Sequence, residues 1–386
     1  MSVPKLRFKE FDGKWSAQKY KDALTIKYGK DHKLLEDGDI PVYGTGGVMR
    51  YVNQYLYDGE SILIGRKGTI DQPKYVNEKF WTVDTLFYSE IKQNIYPLFI
   101  YQHALQVNWL GLNEATGVPS LNTTSINNVD IYLPSKPEQT KIASFFSAVD
   151  EKISQLTQKH ELLSQYKHGM MQKLFSQQIR FKADDGSEFG EWESKFIKDL
   201  DLYISDGNYG ELYPTASQFI SSGVPFIRAN NIKNLKVIND DMRFIDENLH
   251  EILDSGHLKE NDILITTRGD IGMLAFVERE HENSNINAQI CLLRVVNPLS
   301  LNSKFLLHFL HSEFGQKQFK ELQTGSALKQ LPKKSLDKVV TFIPCLEEQT
   351  KIANFLSAID QKIEVVAQQI EQAKTWKKGL LQQMFV

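Results

Sequence analysis

The chain has 386 residues, of which 41% are hydrophobic and 24% charged, with a formal net charge of −3. That is enough for two domains with a core each, and too apolar for a largely disordered chain. The two cysteines, Cys291 and Cys345, form no CxxC or Cys/His spacing, so neither a disulfide framework nor a structural zinc site is expected, and a reducing cytoplasm fits.

The opening, MSVPKLRFKEFDGKW, has no apolar signal core, and the longest apolar stretches, such as Phe305 to Leu310, are too short to cross a bilayer; no membrane association is expected. Residues 1–137 read as a first globular region of mixed α and β. Asp39 to Ile70 alternates β-branched and aromatic residues with glycine turns, and within it ESILIGRKGTI reads as a buried strand ending in a basic turn. Lys79 to Tyr88 reads as one further strand. TGVPSLNTTSINNVDIYLP, Thr116 to Pro134, then leads into a spacer at 138–178. Seven-residue steps from Ile142 give Val149, Leu156, Leu163 and Met170, and a second series gives Phe146, Ile153, His160, Lys167 and Leu174. With no glycine before Gly169, that is the heptad seam of one long helix, and Pro137 suits its start.

IRFKADDGSEFGEW, from Ile179, echoes LRFKEFDGKW, from Leu6, so the start of the chain reads as though it continued from the end. Residues 179–347 form a second mixed region on the same plan. Here VPFIRANNIKN begins at Val224, NDILITTRGDIGMLAFV at Asn261, and TGSALKQLPKKSLDKVVTFIP at Thr324. The last stretch, 348–386, repeats the first spacer: residues 138–175 and 348–385 agree at 18 of 38 positions. At 1.5 Å per residue each helix is about 57 Å long, and an apolar stripe of that length needs a partner. A single copy would read equally as a dimerisation arm. Two near-copies, each attached to its own domain, favour pairing within the chain. The connectivity then requires an antiparallel pair with a domain at either end. The expected fold is α+β: two mixed α/β domains separated by two long antiparallel coiled-coil helices, with a pseudo-twofold internal repeat.

The duplicated order of TG loops leading into EQTKIA helices, with PVYGTGG, ILIGRKGTI, FWTVDTLFY and VPFIRANNIKN, resembles the specificity subunit of type I restriction-modification systems over essentially the whole chain. No single motif is specific; their order is. The resemblance implies two target-recognition domains, each reading one half of a split, asymmetric site in double-stranded DNA. It also implies helices that set the gap, two methyltransferase subunits as partners, and restriction subunits (ATP-dependent translocase/nuclease) where cleavage accompanies methylation. Catalysis and S-adenosylmethionine then belong to those partners, and this chain is expected to carry no cofactor, no metal and no activity of its own. A rod of this length places the two reading surfaces about 10–15 base pairs apart, and unlike domains need no palindrome.

Candidate DNA contacts are Arg66, Lys67 and Gly68 in the first basic turn and Thr267 and Arg268 in the second, where a long cation can meet guanine edges or phosphates. Gly44, Thr45, Gly46 and Gly47 could bring backbone amides to a phosphate, with Arg50 nearby. Arg228, Asn230 and Asn231 offer donors for guanine and adenine; Asn122, Thr123 and Thr124, and Lys329, Lys333 and Lys334, follow the two TG loops. A solvated or capping turn is the alternative for each. Trp81 and Trp109 read as core aromatics. Partner contacts are expected at exposed positions shared by both helices: Gln139, Lys141 and Asp150, with Gln349, Lys351 and Asp360.

Net charge opposes unaided DNA binding. Nine lysines and arginines fall in residues 5–33, whereas Asp240 to Asp262 hold eight acids, a stretch expected to face away from DNA. The chain alone should bind weakly, with partners adding phosphate grip. There is no GxGxxG opening a nucleotide-binding unit, no Asn/Asp-Pro-Pro-aromatic sequence, no GxxxxGK[ST] and no metal-spaced His cluster. A non-DNA coiled-coil scaffold, and a methyltransferase with an unrecognisable site, remain the competing readings.

Overall fold

The computed structural model describes residues 4–326 and 328–385. The chain divides into two compact units, Met1–Lys159 with Val366–Val386, and His160–Val365.

In the first unit, β1 (Ser16–Lys19) passes through the single-turn α1 (Tyr20–Ala23) into β2 (Leu24–Tyr28), followed by β3 (Ile40–Gly44), β4 (Gly47–Val52), β5 (Tyr57–Gly65), β6 (Lys74–Thr82) and β7 (Leu86–Ile91). These last six strands form one sheet in the order β2-β7-β5-β6-β3-β4, antiparallel except where β3 runs parallel to β6. Ser61–Gly65, at the end of β5, is buried throughout, as a central strand requires. The single strand expected over Lys79 to Tyr88 is instead interrupted. β6 ends at Thr82, β7 starts at Leu86, and Leu86 N–H donates to Val83 O (3.0 Å) across Asp84 and Thr85. That short polar pair between apolar strands reverses the chain. Helix α2 (Pro97–Ala104), α3 (Thr123–Asn127) and β8 (Asp130–Leu133), which pairs with β1, lead into α4 (Lys136–Phe175).

The second unit repeats this frame. It contains β9 (Glu193–Phe196), β10 (Leu202–Asp206), β11 (Val224–Ile227), β12 (Ile232–Lys233), β13 (Leu235–Val237), β14 (Arg243–Ile245), α5 (Glu247–Ile252), β15 (Ile263–Thr266), β16 (Leu274–Phe276), β17 (Asn285–Ile286) and β18 (Ile290–Val295). After these come α6 (Ser303–His311), α7 (Glu313–Glu321), α8 (Lys333–Leu336), β19 (Val340–Ile343) and α9 (Leu346–Met384). The sheet order β10-β18-β15-β16-β13-β12 matches the first, including one parallel pair, β13 with β16. Only its edge differs: the outer strand follows its neighbour in the first unit (β4 after β3) and precedes it in the second (β12 before β13). A three-stranded sheet, β14-β11-β17, is added.

Each unit contains the start of one long helix and the end of the other. In the first, Ile142, Ala143 and Phe146 of α4 pack with Leu381 and Met384 of α9, the adjoining Phe385, and Trp15, Tyr20 and Phe99. In the second, Ile352, Ala353 and Leu356 of α9 pack with Met171, Leu174 and Phe175 of α4 and with Phe305. At about 2 kcal/mol per buried side chain, these contacts bind each domain to both helices. The helices run antiparallel within each unit. Phe146 lies 6.2 Å from Phe385 between ring centroids, and four residues further along α4, Asp150 meets Lys377, eight residues earlier, at 2.6 Å. Lys167 meets Asp360 at 2.5 Å in the second unit. The two ion pairs are related by the 210-residue repeat.

A second repeated device joins domain to helix. Glu138, buried in the first turn of α4, accepts from Arg7 Nε (2.7 Å) and Nη2 (2.8 Å) and from Trp15 Nε1 (3.3 Å), while Arg7 Nη2 also donates to Gly13 O (2.6 Å). Glu348 accepts from Arg180 (3.1 and 2.7 Å) and Trp192 (3.1 Å), and Arg180 donates to Gly190 O (2.6 Å). The echo between the segments at Leu6 and Ile179 is therefore this clasp. A doubly bonded guanidinium is what a fully desolvated carboxylate needs.

Candidate nucleic-acid interface

In the first domain three of the singled-out stretches meet. The β3–β4 hairpin turns at Thr45 and Gly46, with Gly44 paired to Gly47, whose φ of +126° suits glycine. Thr45 Oγ1 lies 3.9 Å from where a Cβ on Gly68 would stand. The Arg66–Gly68 turn bridges to the stretch after the first TG loop: Lys67 pairs with Ser120, Gly68 N–H donates to Pro119 O (2.9 Å), and Leu121 N–H donates to Arg66 O (2.9 Å). Arg66 lies over the Tyr28 ring at 5.5 Å and donates to Asp84 O (3.0 Å), whereas Lys67 is exposed and has no ion pair among the described residues. Asn122 is the N-cap of α3, accepting from Ser125 N (2.8 Å), and Thr123 and Thr124 form the helix's first turn. Arg50 does not join this group: it is held by Asp37 (2.5 Å) and Leu35 O (3.2 Å). It pairs with Val42 rather than with the hairpin tip, because alternation along β4 directs it to the 35–37 loop.

In the second domain Arg228, Asn230 and Arg268 converge on a surface pocket of about 450 Å³, together with Tyr213, Asn287 and Gln289. Arg268 occupies the frame position of Lys67, pairing with Gln330 as Lys67 does with Ser120, and its guanidinium stands over Tyr209 at 5.7 Å. Thr267 is buried and acts from beneath: its N–H (2.7 Å) and Oγ1 (3.1 Å) donate to Gln289 O, fixing the 287–289 turn against the arginine turn. Asn231 is placed differently from Asn230. It is fully buried, accepts from Arg228 N (3.1 Å) and donates to Ile238 O (3.2 Å) and Asp240 O (2.8 Å), so its amide is consumed in folding the loop. Lys329 and Lys334 are exposed; Lys333 lies 3.7 Å from Asp206. Two acids of the 240–262 stretch are paired: Asp241 accepts from Arg228 (2.8 Å), which lowers its carboxyl pKa, and Asp262 is buried against Arg294 (2.7 Å). Tyr209, Tyr213, Asn287 and Gln289, which stand around Arg268 and the pocket, are not among the sequence candidates. For Asn287 and Gln289 the available signal is the polar Asn-Ala-Gln turn just before the apolar strand β18.

The proposed partner-contact positions on the helices fare unequally. Gln139 and Gln349 are buried, contrary to the expectation that they are exposed. Gln139 Oε1 accepts from Tyr96 N (2.8 Å) and its Nε2 donates to Pro134 O (3.0 Å), while Gln349 binds Asn302 N (2.8 Å) and Pro344 O (2.8 Å) likewise. Asp150 and Asp360 are engaged in the helix ion pairs. Lys141, half exposed, lies 3.4 Å from Glu10, and Lys351 is paired to Asp184 at 2.5 Å. Trp81 and Trp109 are buried. Among the described residues no group of three or more His, Cys, Asp or Glu is placed to hold a metal ion, and no helix is long and apolar enough to cross a membrane.

The sequence model of the type I restriction modification DNA specificity domain matches residues 14–165 and 190–375. Among curated proteins, the MjaVIII type I restriction enzyme specificity subunit of Methanocaldococcus jannaschii is 26% identical over 84% of this chain and 76% of its own length. A Haemophilus influenzae protein described as a putative type I restriction enzyme specificity subunit is 24% identical over 85% of this chain and 82% of its own. The fold matches the S subunit of a type I restriction-modification system from M. genitalium, with a TM-score of 0.66 at 14% identity over 100% of this chain and 99% of that one.

Proposed function

The chain belongs to the type I restriction modification DNA specificity family, and on that premise we propose that each domain reads one half of a bipartite, asymmetric duplex site while the paired helices set the gap and dock two methyltransferase subunits. The observation that supports this is one frame bearing different side chains at the same turn: Lys67 against Ser120 in the first domain, Arg268 against Gln330 in the second. A lysine is a point charge and an arginine a planar fork, so the equivalent positions grip a base or phosphate with different geometry. Clasp and helix ion pairs by contrast recur with the same residue types in both copies, which supports two copies of one partner on a repeated frame. This chain supplies recognition; methyl transfer and S-adenosylmethionine binding fall to the partners, and restriction subunits join where cleavage occurs. With a net charge of −3, much of the phosphate grip comes from those partners.

The test is sequencing of methylated adenines in cells that carry the methyltransferase subunits, with and without this chain. A motif of two unlike half-sites separated by a fixed gap should be present only with the chain. A continuous motif, or one that persists without the chain, would overturn the proposal.

A further inference from the structure

We propose that the pocket between Arg268 and the 287–289 turn is where the second domain reads bases in the major groove, with guanine taken by Arg268 and the neighbouring base by Gln289. The inference rests on the DNA-specificity reading above and adds to it the residues that decide one half-site.

Arg268 is exposed and has no ion pair among the described residues, so its planar donor fork is available to the O6 and N7 acceptors of guanine. The Tyr209 ring beneath it, 5.7 Å away, limits where the guanidinium can swing. Arg228 is set differently. Its Nη2 is bound by Asp241 O (2.5 Å) and Oδ2 (2.8 Å), so its plane is fixed, and its Nε is buried without an acceptor. Arg228 therefore serves as a fixed cationic wall of the pocket beside the more exposed Arg268.

Gln289 is exposed at its side chain and immobilised at its backbone. Its N–H donates to Asn287 Oδ1 (3.2 Å), its C=O accepts from Thr267 (2.7 and 3.1 Å), and its Oε1 accepts from Asn287 Nδ2 (3.3 Å), which leaves its own amide N–H groups available to a base. Asn287 is buried and is a positioning residue. The floor closes tightly beneath it: a Cβ on Gly207 would stand 2.2 Å from Asn287 O, so only glycine allows the end of β10 to approach. Rigid backbone with free side-chain donors is what base discrimination needs, and the first domain has lysine where this one has Arg268.

The test compares Arg268→Lys and Gln289→Ala with the wild type. Each is assembled with the methyltransferase subunits, selected against a duplex library, and followed by methylation of the recovered sites. Each variant should lose roughly tenfold or more in discrimination at one position of one half-site, leaving the other half-site and the unfolding temperature unchanged. An unchanged motif overturns the proposal. Uniform weakening at every position also overturns it, because that is the signature of a phosphate contact alone. A wild-type complex that selects no bipartite motif would instead sink the broader reading.

Discussion

Burial of His308 in α6 holds its imidazole neutral, with its pKa pushed down to about 3 from an ordinary 6.5 by desolvation first and by Lys167 next. Its Nε2 lies 3.4 Å from Ser357 Oγ and 4.0 Å from Asp360. The position corresponds to Gln102 of the first domain, which donates to Asp150 at 3.2 Å and does not titrate. Since the folded pKa lies below the unfolded one, the unfolded chain binds the proton first; the stability is fully present above pH 6.5 and is lost as pH falls toward the folded value. His308→Gln should therefore flatten the fall in unfolding temperature between pH 6 and 4, as thermal melts across that range would read; an unchanged slope would show that another group governs it. At this scale the sequence exposed turns but not partners. A glycine and a cation after an apolar run mark Lys67 and Arg268 as exposed donors, while Arg66 in the same run is held against Tyr28 and Asp84. Whether an amide is free or consumed depends on tertiary neighbours, which is why the burial of Asn231, Gln139 and Gln349 and the exposure of Gln289 have no signature in the sequence.

Helices α4 and α9 were legible because a period of three and a half sustained over ten turns has one structural solution. The finer elements were not. The reversal at Asp84 and the swapped order of edge strands β12 and β13 rest on two or three residues each, too few to carry a pattern. Pairing of the helices predicts a reciprocal rescue. Asp150→Lys should cost roughly 1 kcal/mol by opposing Lys377, and adding Lys377→Asp should restore most of it. Denaturant unfolding of the two single variants and the double completes the cycle, and additive losses would mean that the contact contributes nothing.

For the whole molecule, duplication was the strongest signal, since a repeat with its domains attached states the architecture twice. If the helices set the gap in the target, seven residues inserted into each at matching midpoints lengthen both by about 10 Å, or roughly three base pairs. The methylated motif should then keep both half-sites and widen its gap by that amount; an unchanged gap would remove the helices from that role. The mounting of each domain has an evolutionary corollary. Gln139 and Gln349 grip main-chain carbonyls and amides, so the seat is indifferent to the side chains its passenger displays. A lineage can redraft what it reads, loop by loop, without ever renegotiating the joint.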